Sequence, residues 1–242
     1  MPVIAFANSK GGSGKTTATL LLACQLARTQ TVTVIDADPR QPITSWVKKR
    51  DDETPPPNFT LINNVNELNI YDVIDACRQT SDWLLVDLEG TASKLTGVAT
   101  TSSDLIVIPC NEQIQDAEAA IDVIATLKRD FKQFRNTVPF SILFSRTRAV
   151  KGRIERVVSQ QFRSEPSIPC LETELMQRDA YAQIFARGST LYELPEKEVS
   201  NIEKAVGEVE KLAREIKQRL GVVPGGADQS QAVEPQSEKG AA

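Results

Sequence analysis

Short runs of apolar, largely β-branched residues alternate along this chain with longer segments whose apolar residues recur every three or four positions. The short runs are typical of buried strands, and the longer segments are typical of helices that bury one face. The predicted strands span residues 3–7, 31–35, 83–87, 105–109 and 140–144. The predicted helices span residues 18–28, 66–78, 116–134, 153–162 and 201–220. This alternation predicts an α/β fold, a mostly parallel twisted sheet flanked by helices on both faces.

The length and composition suit one compact domain. The chain has 242 residues, of which 40% are hydrophobic and 25% charged. After Gly221 the sequence becomes rich in Gly, Ala, Gln, Ser and Glu without apolar periodicity. We therefore expect a single domain over residues 1–220 and a disordered C-terminal tail over residues 221–242. Because the chain shows neither a long apolar span nor a secretion signal, we expect a cytoplasmic protein.

The residue types that are absent restrict the chemistry. The chain has no histidine, which excludes Ser/His and Cys/His nucleophile pairs and histidine-ligated metals. Its four cysteines lie far apart without a CxxC pair, so we expect reduced, mostly buried thiols rather than disulfides or a zinc site. Carboxylates, lysines, hydroxyls and backbone amides remain, and these are the groups that catalyse phosphoryl transfer.

A glycine-rich loop follows the first predicted strand and opens the first predicted helix. Such a loop directs backbone N–H groups and the positive end of the helix at phosphate oxygens. Lys15 is expected to reach the β- and γ-phosphates of ATP, and the Thr16 hydroxyl to bind Mg²⁺. The alternative is a turn with a purely structural role. The predicted nucleotide-binding residues are Lys10, Gly11, Gly12, Ser13, Gly14, Lys15, Thr16 and Thr17.

The loop departs from the general phosphate-loop pattern in two ways. Position 9 holds Ser9 instead of the first glycine, and a second lysine, Lys10, stands five residues before Lys15. In this the loop resembles the deviant Walker A group of P-loop ATPases, to which ParA, MinD and the nitrogenase iron protein belong. The resemblance covers about residues 3–215. It implies a P-loop NTPase fold and a homodimer formed with ATP, in which Lys10 acts on the partner's nucleotide; the alternative is a solvent-facing Lys10 without a role.

Three carboxylates follow or end predicted strands, at the edge where ligands bind in parallel sheets. Asp36 and Asp38 are two residues apart on an extended segment, so both are expected to face the site. Asp87 has the position of a Walker B aspartate. The resemblance implies that Asp38 orients the attacking water and that Asp36 lies near Mg²⁺; an Asp-Pro turn is the alternative. The predicted catalytic residues are Lys10, Lys15 and Asp38, and the predicted metal-binding residues are Thr16, Asp36 and Asp87.

The segment after Asp87 reads Leu-Glu-Gly-Thr, where this family often has Thr-Pro-Pro. Gly90 is expected to bring its N–H close to the γ-phosphate, whereas Glu89 is either a second polar ligand or an exposed loop acid. For adenine, the resemblance indicates residues that follow later strands, with Ser145, Arg146 and residues 171–174 as candidates.

Basic residues outnumber acidic ones by six to one between Ser145 and Arg163. Such a cluster suits DNA phosphates without base readout, although a solvated helix face is the alternative and the net charge of −4 does not favour DNA. The resemblance to ParA adds two later arginines. The predicted DNA-binding residues are Arg146, Arg148, Lys151, Arg153, Arg156, Arg178 and Arg187.

The resemblance implies a small ParA-type ATPase that uses ATP and Mg²⁺ to position a plasmid, a chromosome or a protein-complex cargo. It further implies nonspecific DNA binding, association with the nucleoid, and hydrolysis stimulated by a ParB-like or cargo adaptor protein. A MinD-like membrane-associated ATPase is one alternative, but residues 221–242 contain few apolar and basic residues. Two further alternatives are an iron–sulfur reductase, which would need paired cysteines that this chain lacks, and a P-loop enzyme acting on a small carboxylic substrate. The latter would not need Lys10, which this chain has.

Overall fold

A computed structural model describes residues 1–50, 58–90 and 93–222 of the chain. Seven strands form one sheet in the order β3-β2-β4-β1-β5-β6-β7, and every pairing between them is parallel. The strands are Val3–Phe6 (β1), Val32–Asp36 (β2), Phe59–Ile62 (β3), Trp83–Asp87 (β4), Leu105–Cys110 (β5), Phe140–Thr147 (β6) and Leu175–Met176 (β7).

Eight helices and one short 3₁₀ helix, Leu191–Glu193, connect or follow these strands in the described parts of the chain. The helices are Lys15–Leu26 (α1), Pro42–Val47 (α2), Ile70–Cys77 (α3), Lys94–Thr101 (α4), Ile114–Phe134 (α5), Arg153–Ser164 (α6), Asp179–Arg187 (α7) and Ile202–Arg219 (α8). The predicted α/β fold is confirmed. The predicted domain of residues 1–220 lies mostly within this region, whereas the predicted tail lies outside the described residues from position 223 onward.

The sheet separates two hydrophobic cores, as expected when strands bury both faces. In β1, Ile4 and Phe6 point to one core while Val3 and Ala5 point to the other, following the two-residue period of a strand. Helices α1, α2, α7 and α8 cover the first core, and α3, α4, α5 and α6 cover the second. Both faces of the sheet are therefore closed to solvent, and the strand ends are left for ligands.

One predicted helix begins later than its apolar pattern indicates. The pattern starts at residue 66, but α3 begins at Ile70. The Asn66 carboxamide accepts a hydrogen bond from Leu68 N at 2.8 Å, and that of Asn69 accepts one from Asn66 N at 2.7 Å. These side chains offer the backbone an alternative to helical hydrogen bonds, so the first turn is not helical.

The strand order places the glycine-rich loop at the centre of the sheet. Strand β1 lies between β4 and β5, so the loop that follows it is flanked by the carboxyl ends of both. Asp36 at the end of β2 pairs in register with Asp87 at the end of β4. The predicted site residues of three strands thus meet at one edge of the sheet. Within the described residues, no helix is long and apolar enough to cross a membrane.

Candidate active site

The loop between β1 and α1 depends on two glycines with left-handed backbone conformations. Gly12 has a φ of 77°, and Gly14, the residue that precedes α1, has a φ of 100°. A Cβ atom on Gly14 would lie 3.0 Å from the Ser145 hydroxyl oxygen, which itself donates a hydrogen bond to Ser13 O at 2.6 Å. Because Gly14 has no side chain to cap α1, the first N–H groups of this helix lack that partner and suit an anion.

Lys15 is the first residue of α1, and its side chain folds back along the loop. Its ammonium donates hydrogen bonds to Asn8 O at 3.1 Å and Lys10 O at 3.4 Å. Burial lowers the pKa of Lys15, and the carboxylates of Asp87 and Asp38 act in the opposite direction. The ammonium is thus held across the concave face of the loop, where a phosphate group would be enclosed.

Gly90, which follows β4 and Asp87, lies directly against this lysine. A Cβ atom at position 90 would be 3.5 Å from Lys15 Nζ and 3.3 Å from Ser9 O. A side chain at position 90 would fill this space, whereas glycine leaves it open. The backbone N–H of Gly90 can therefore approach the phosphate region, as the sequence predicts.

Thr16 and Asp87 form the candidate metal site with Asp36 beside them. The Thr16 hydroxyl donates a hydrogen bond to Asp87 Oδ2 at 2.7 Å. Burial raises the pKa of Asp87 to about 7, with Asp36 adding to the rise and the Thr16 hydroxyl opposing it. Among the described residues, neither Oδ1 of Asp87 nor Oδ1 of Asp36 has a hydrogen-bond partner, although both are buried. Two unpaired buried oxygens beside a hydroxyl are suitable ligands for a hard cation such as Mg²⁺.

Asp36 is oriented by the start of α2. Its Oδ2 accepts hydrogen bonds from Thr44 N at 2.7 Å and from the Thr44 hydroxyl at 2.8 Å, which leaves Oδ1 for another partner. Burial raises the pKa of Asp36, and the two bonds from Thr44 oppose this rise. In the part of the chain that the structure describes, no group of three or more Cys, Asp or Glu side chains could hold a metal ion.

Asp38 follows β2 and is buried at the same edge of the sheet, yet it has a partner on its own loop. Its Oδ1 accepts a hydrogen bond from Arg40 N at 2.9 Å, and the exposed Arg40 guanidinium lies 3.3 Å from both carboxylate oxygens. For Asp38 to orient a water molecule, the exposed Arg40 side chain must leave at least one of the two carboxylate oxygens available.

Lys10 does not point freely into solvent. Its ammonium lies 2.5 Å from Asp116 Oδ2 in the first turn of α5, and its backbone N–H donates a hydrogen bond to Asn8 Oδ1 at 2.8 Å. Asn8 in turn donates to Pro109 O at 2.6 Å, which ties the loop to β5. Asp116 is 106 residues away from Lys10 in the sequence, and no local pattern marks it as a partner.

A cavity of about 300 Å³ adjoins the loop on the side of β6 and β7. Gly14, Ser145 and Arg146 form one wall, and Arg146 also donates a hydrogen bond to Gly12 O at 3.0 Å. The other walls come from residues 175–178 and from Tyr181, Ala182 and Phe185 of α7. Of the adenine candidates, Ser145 and Arg146 line this cavity, whereas the lining from β7 begins at Leu175 and does not include residues 171–174.

The predicted DNA-binding residues fall into two groups. Several belong to ion pairs: Lys151 lies 2.6 Å from Glu112 and 2.7 Å from Glu174, and Arg148 lies 3.5 Å from Glu155. Arg178 bonds Glu208, and Arg187 lies 2.7 Å from Glu198. By contrast, Arg153 and Arg156 are exposed on α6 and take part in no ion pair with the described residues. Arg146 is exposed as well but donates a hydrogen bond to Gly12 O of the loop, so Arg153 and Arg156 are the predicted DNA-binding residues that are exposed without an ion pair or a loop contact among the described residues.

Comparison with known proteins agrees with this fold. The model of the VirC1 protein family matches residues 1–221. A protein named ParA from Rhizobium radiobacter is 27% identical over 221 residues, which cover 91% of this chain and 98% of the relative.

Two solved structures with nucleotides share the fold. A McdA variant–ATP complex from Cyanothece has a TM-score of 0.69 and 16% identity, with 94% of this chain and 99% of that chain covered. MinD from Pyrococcus horikoshii, complexed with Mg-ADP, has a TM-score of 0.67 and 15% identity, with 91% and 98% covered. The phosphate loop with its second lysine, the fold and the family match lead to one conclusion: this chain belongs to the VirC1 family, among the ParA/MinD-type P-loop ATPases.

Proposed function

We propose that this chain is an ATPase that forms a dimer with ATP and Mg²⁺, binds DNA without sequence preference and positions a cargo, with hydrolysis stimulated by an adaptor protein. The observation that carries the proposal is the arrangement around the loop after β1. Lys15 spans the loop, the Thr16–Asp87 pair with Asp36 lies on one side, and Lys10 lies on the other.

Backbone N–H groups and side chains of this chain would bind the phosphates and orient the attacking water. The free N–H groups at the start of α1 and the Lys15 ammonium would hold the β- and γ-phosphates. The Thr16 hydroxyl, Asp87 and Asp36 would bind Mg²⁺, which would neutralise phosphate charge during transfer. Asp38, buried beside them, would orient the attacking water once Arg40 no longer occupies both of its oxygens.

Dimerisation is supported by the second lysine. One lysine already spans the phosphate loop of its own chain, so an additional cation at position 10 is not required for binding the nucleotide within one subunit. A cation delivered from a partner subunit would stabilise transition-state charge only in the closed dimer, which would couple hydrolysis to assembly.

The DNA-binding part of the proposal is centred on α6. Arg153 and Arg156 stand on its exposed surface, and Arg148 just before it is 67% exposed at its side chain despite its contact with Glu155. A dimer would present two such surfaces and would double the number of phosphate contacts, so ATP would control DNA affinity through assembly. Lys151, whose charge is compensated by two glutamates, would contribute less.

The cargo-positioning role is supported by the relatives. They include the protein named ParA and a protein from Halothiobacillus neapolitanus named maintenance of carboxysome distribution protein A, which is 25% identical over 205 residues. The second name concerns the distribution of carboxysomes, and neither name specifies the cargo of this chain.

The test is the molar mass of the protein in three nucleotide states, measured by light scattering with phosphate release recorded in parallel. We expect a monomer without nucleotide and with ADP, and a dimer that hydrolyses ATP when ATP and Mg²⁺ are present. Lys10→Ala should bind nucleotide but neither dimerise nor hydrolyse. One molar mass in all three states would contradict the dimer, and absence of phosphate release would contradict the ATPase.

A further inference from the structure

The lysine that distinguishes this phosphate loop is already paired within its own chain. The Lys10 ammonium lies 2.5 Å from Asp116 Oδ2, and this carboxylate is the acidic group in the first turn of α5. The Lys10 side chain remains 36% exposed, so its ammonium is accessible from outside. The Asp116 side chain is only 10% exposed, so little water compensates its charge when the lysine leaves.

The position of Asp116 at the start of α5 holds its carboxylate in place. Its backbone N–H bonds Gln113 O at 3.0 Å in the first turn of α5, and the positive end of a helix stabilises a carboxylate there. The segment before it is also held, because Gln113 Nε2 donates to Glu155 at 3.2 Å on α6. Asp116 is thus an anchored anion, whereas Lys10 belongs to a loop and has a long side chain.

We propose that Asp116 is a positioning residue that retains Lys10 within its own subunit and thereby sets the threshold for nucleotide-driven dimerisation. The inference rests on the proposed function, since Lys10 has a second binding place only if two subunits close on ATP. In the isolated subunit Lys10 pairs with Asp116. In the dimer the same ammonium exchanges this carboxylate for phosphate oxygens of the partner's nucleotide and leaves Asp116 without its cation.

Asp116 therefore competes with the partner's nucleotide for the Lys10 ammonium. ADP has fewer phosphate charges than ATP and would bind the Lys10 ammonium more weakly. With ADP, Lys10 would therefore stay paired with Asp116, and the monomer would be favoured. Two such pairs break for each dimer that forms. If one partly exposed pair shifts the equilibrium by about threefold, the two together shift the dimer dissociation constant by about tenfold.

The experiment compares wild type and Asp116→Asn by sedimentation, with AMPPNP and Mg²⁺ as the nucleotide. We expect the dimer dissociation constant of Asp116→Asn to be about tenfold lower than that of wild type, while ADP binds the monomers of both with the same affinity. Glu210→Gln is the control, because it removes one negative charge from an exposed position on α8 and should leave the dissociation constant unchanged.

A purely structural role for Asp116 gives the opposite sign, because damage at the start of α5 would weaken the dimer. Equal or weaker dimerisation of Asp116→Asn, with wild type dimerising normally, overturns the positioning role alone. Failure of wild type to dimerise with AMPPNP instead contradicts the proposed function. Asp116→Ala is the second variant should Asp116→Asn fold poorly, and it must also tighten the dimer for the proposal to stand.

Discussion

The substitution Gly14→Ala tests whether the conformation of the phosphate loop is required by contacts that the sequence motif does not reveal. Gly14 has a φ of 100°, a left-handed conformation that costs an alanine about 1–2 kcal/mol. The added methyl group would stand 3.0 Å from Ser145 Oγ and 3.3 Å from Ser145 Cβ. Both the backbone and the buried neighbour therefore resist the change.

The second part of the cost comes from Ser145, which is 2% exposed. To make room, its hydroxyl must leave Ser13 O, to which it donates at 2.6 Å. Losing such a buried hydrogen bond costs about 1 kcal/mol. Together with the backbone cost, we expect Gly14→Ala to lower the free energy of unfolding by about 2–3 kcal/mol and to weaken nucleotide binding strongly.

The assay is urea denaturation of the nucleotide-free protein followed by circular dichroism, with titration of a fluorescent ATP analogue on the same samples. Gly207→Ala is the matched control, because Gly207 lies within α8 and nothing lies within 4 Å of an added Cβ. In that helix alanine should raise the free energy of unfolding by about 0.5–1 kcal/mol. If Gly14→Ala unfolded at the wild-type urea concentration, the argument from strain and crowding would be wrong.

Further predictions concern catalysis, DNA and thiol reactivity. Lys15→Ala should abolish ATP binding, whereas Asp38→Ala should bind ATP, hydrolyse it at least tenfold more slowly and accumulate as a dimer; wild-type turnover by Asp38→Ala in a phosphate-release assay would exclude the water-orienting role. Arg153→Glu combined with Arg156→Glu should weaken ATP-dependent DNA binding and reduce its salt dependence without changing dimerisation; full DNA affinity in a filter-binding assay would place the DNA surface elsewhere. Because burial raises the pKa of Cys110 to about 12 and the residue is 0% exposed, maleimide at pH 8 should label it only after unfolding, as mass spectrometry would show.

The alternation of the central strands with helices along the chain could be predicted because burial on both faces leaves each central strand as an apolar run. The five strands of the predicted set all belong to the sheet, and their ends shift by only a few residues. The edge strands β3 and β7 and the helices α2, α4 and α7 were missed, since these elements have only two to nine residues and carry little periodicity. At α3 the side chains of Asn66 and Asn69 compete locally with the apolar pattern.

The sequence predicted Lys15 and Thr16 from the loop motif and Asp87 from its position at the end of a strand, and the structure brings Thr16 and Asp87 into contact. It did not identify Asp116, because a contact between residues 106 positions apart is created by the neighbouring positions of β1 and β5. The same limit applies to Lys151, which reads as a free basic residue in sequence. Its two glutamate partners follow β5 and precede β7, and only the folded sheet brings them together.

Helix α7 contacts both the cavity beside the loop and the segment that follows Asp38. Tyr181 and Phe185 face the cavity beside the loop, while the carbonyl oxygens of Ile184 and Phe185 accept hydrogen bonds from Trp46 Nε1 at 2.9 Å and Lys49 Nζ at 2.7 Å. Trp46 lies in α2, and only residues 39–41 separate that helix from Asp38. We therefore expect that a ligand displacing α7 would also displace α2 and change the position of the Asp38 carboxylate.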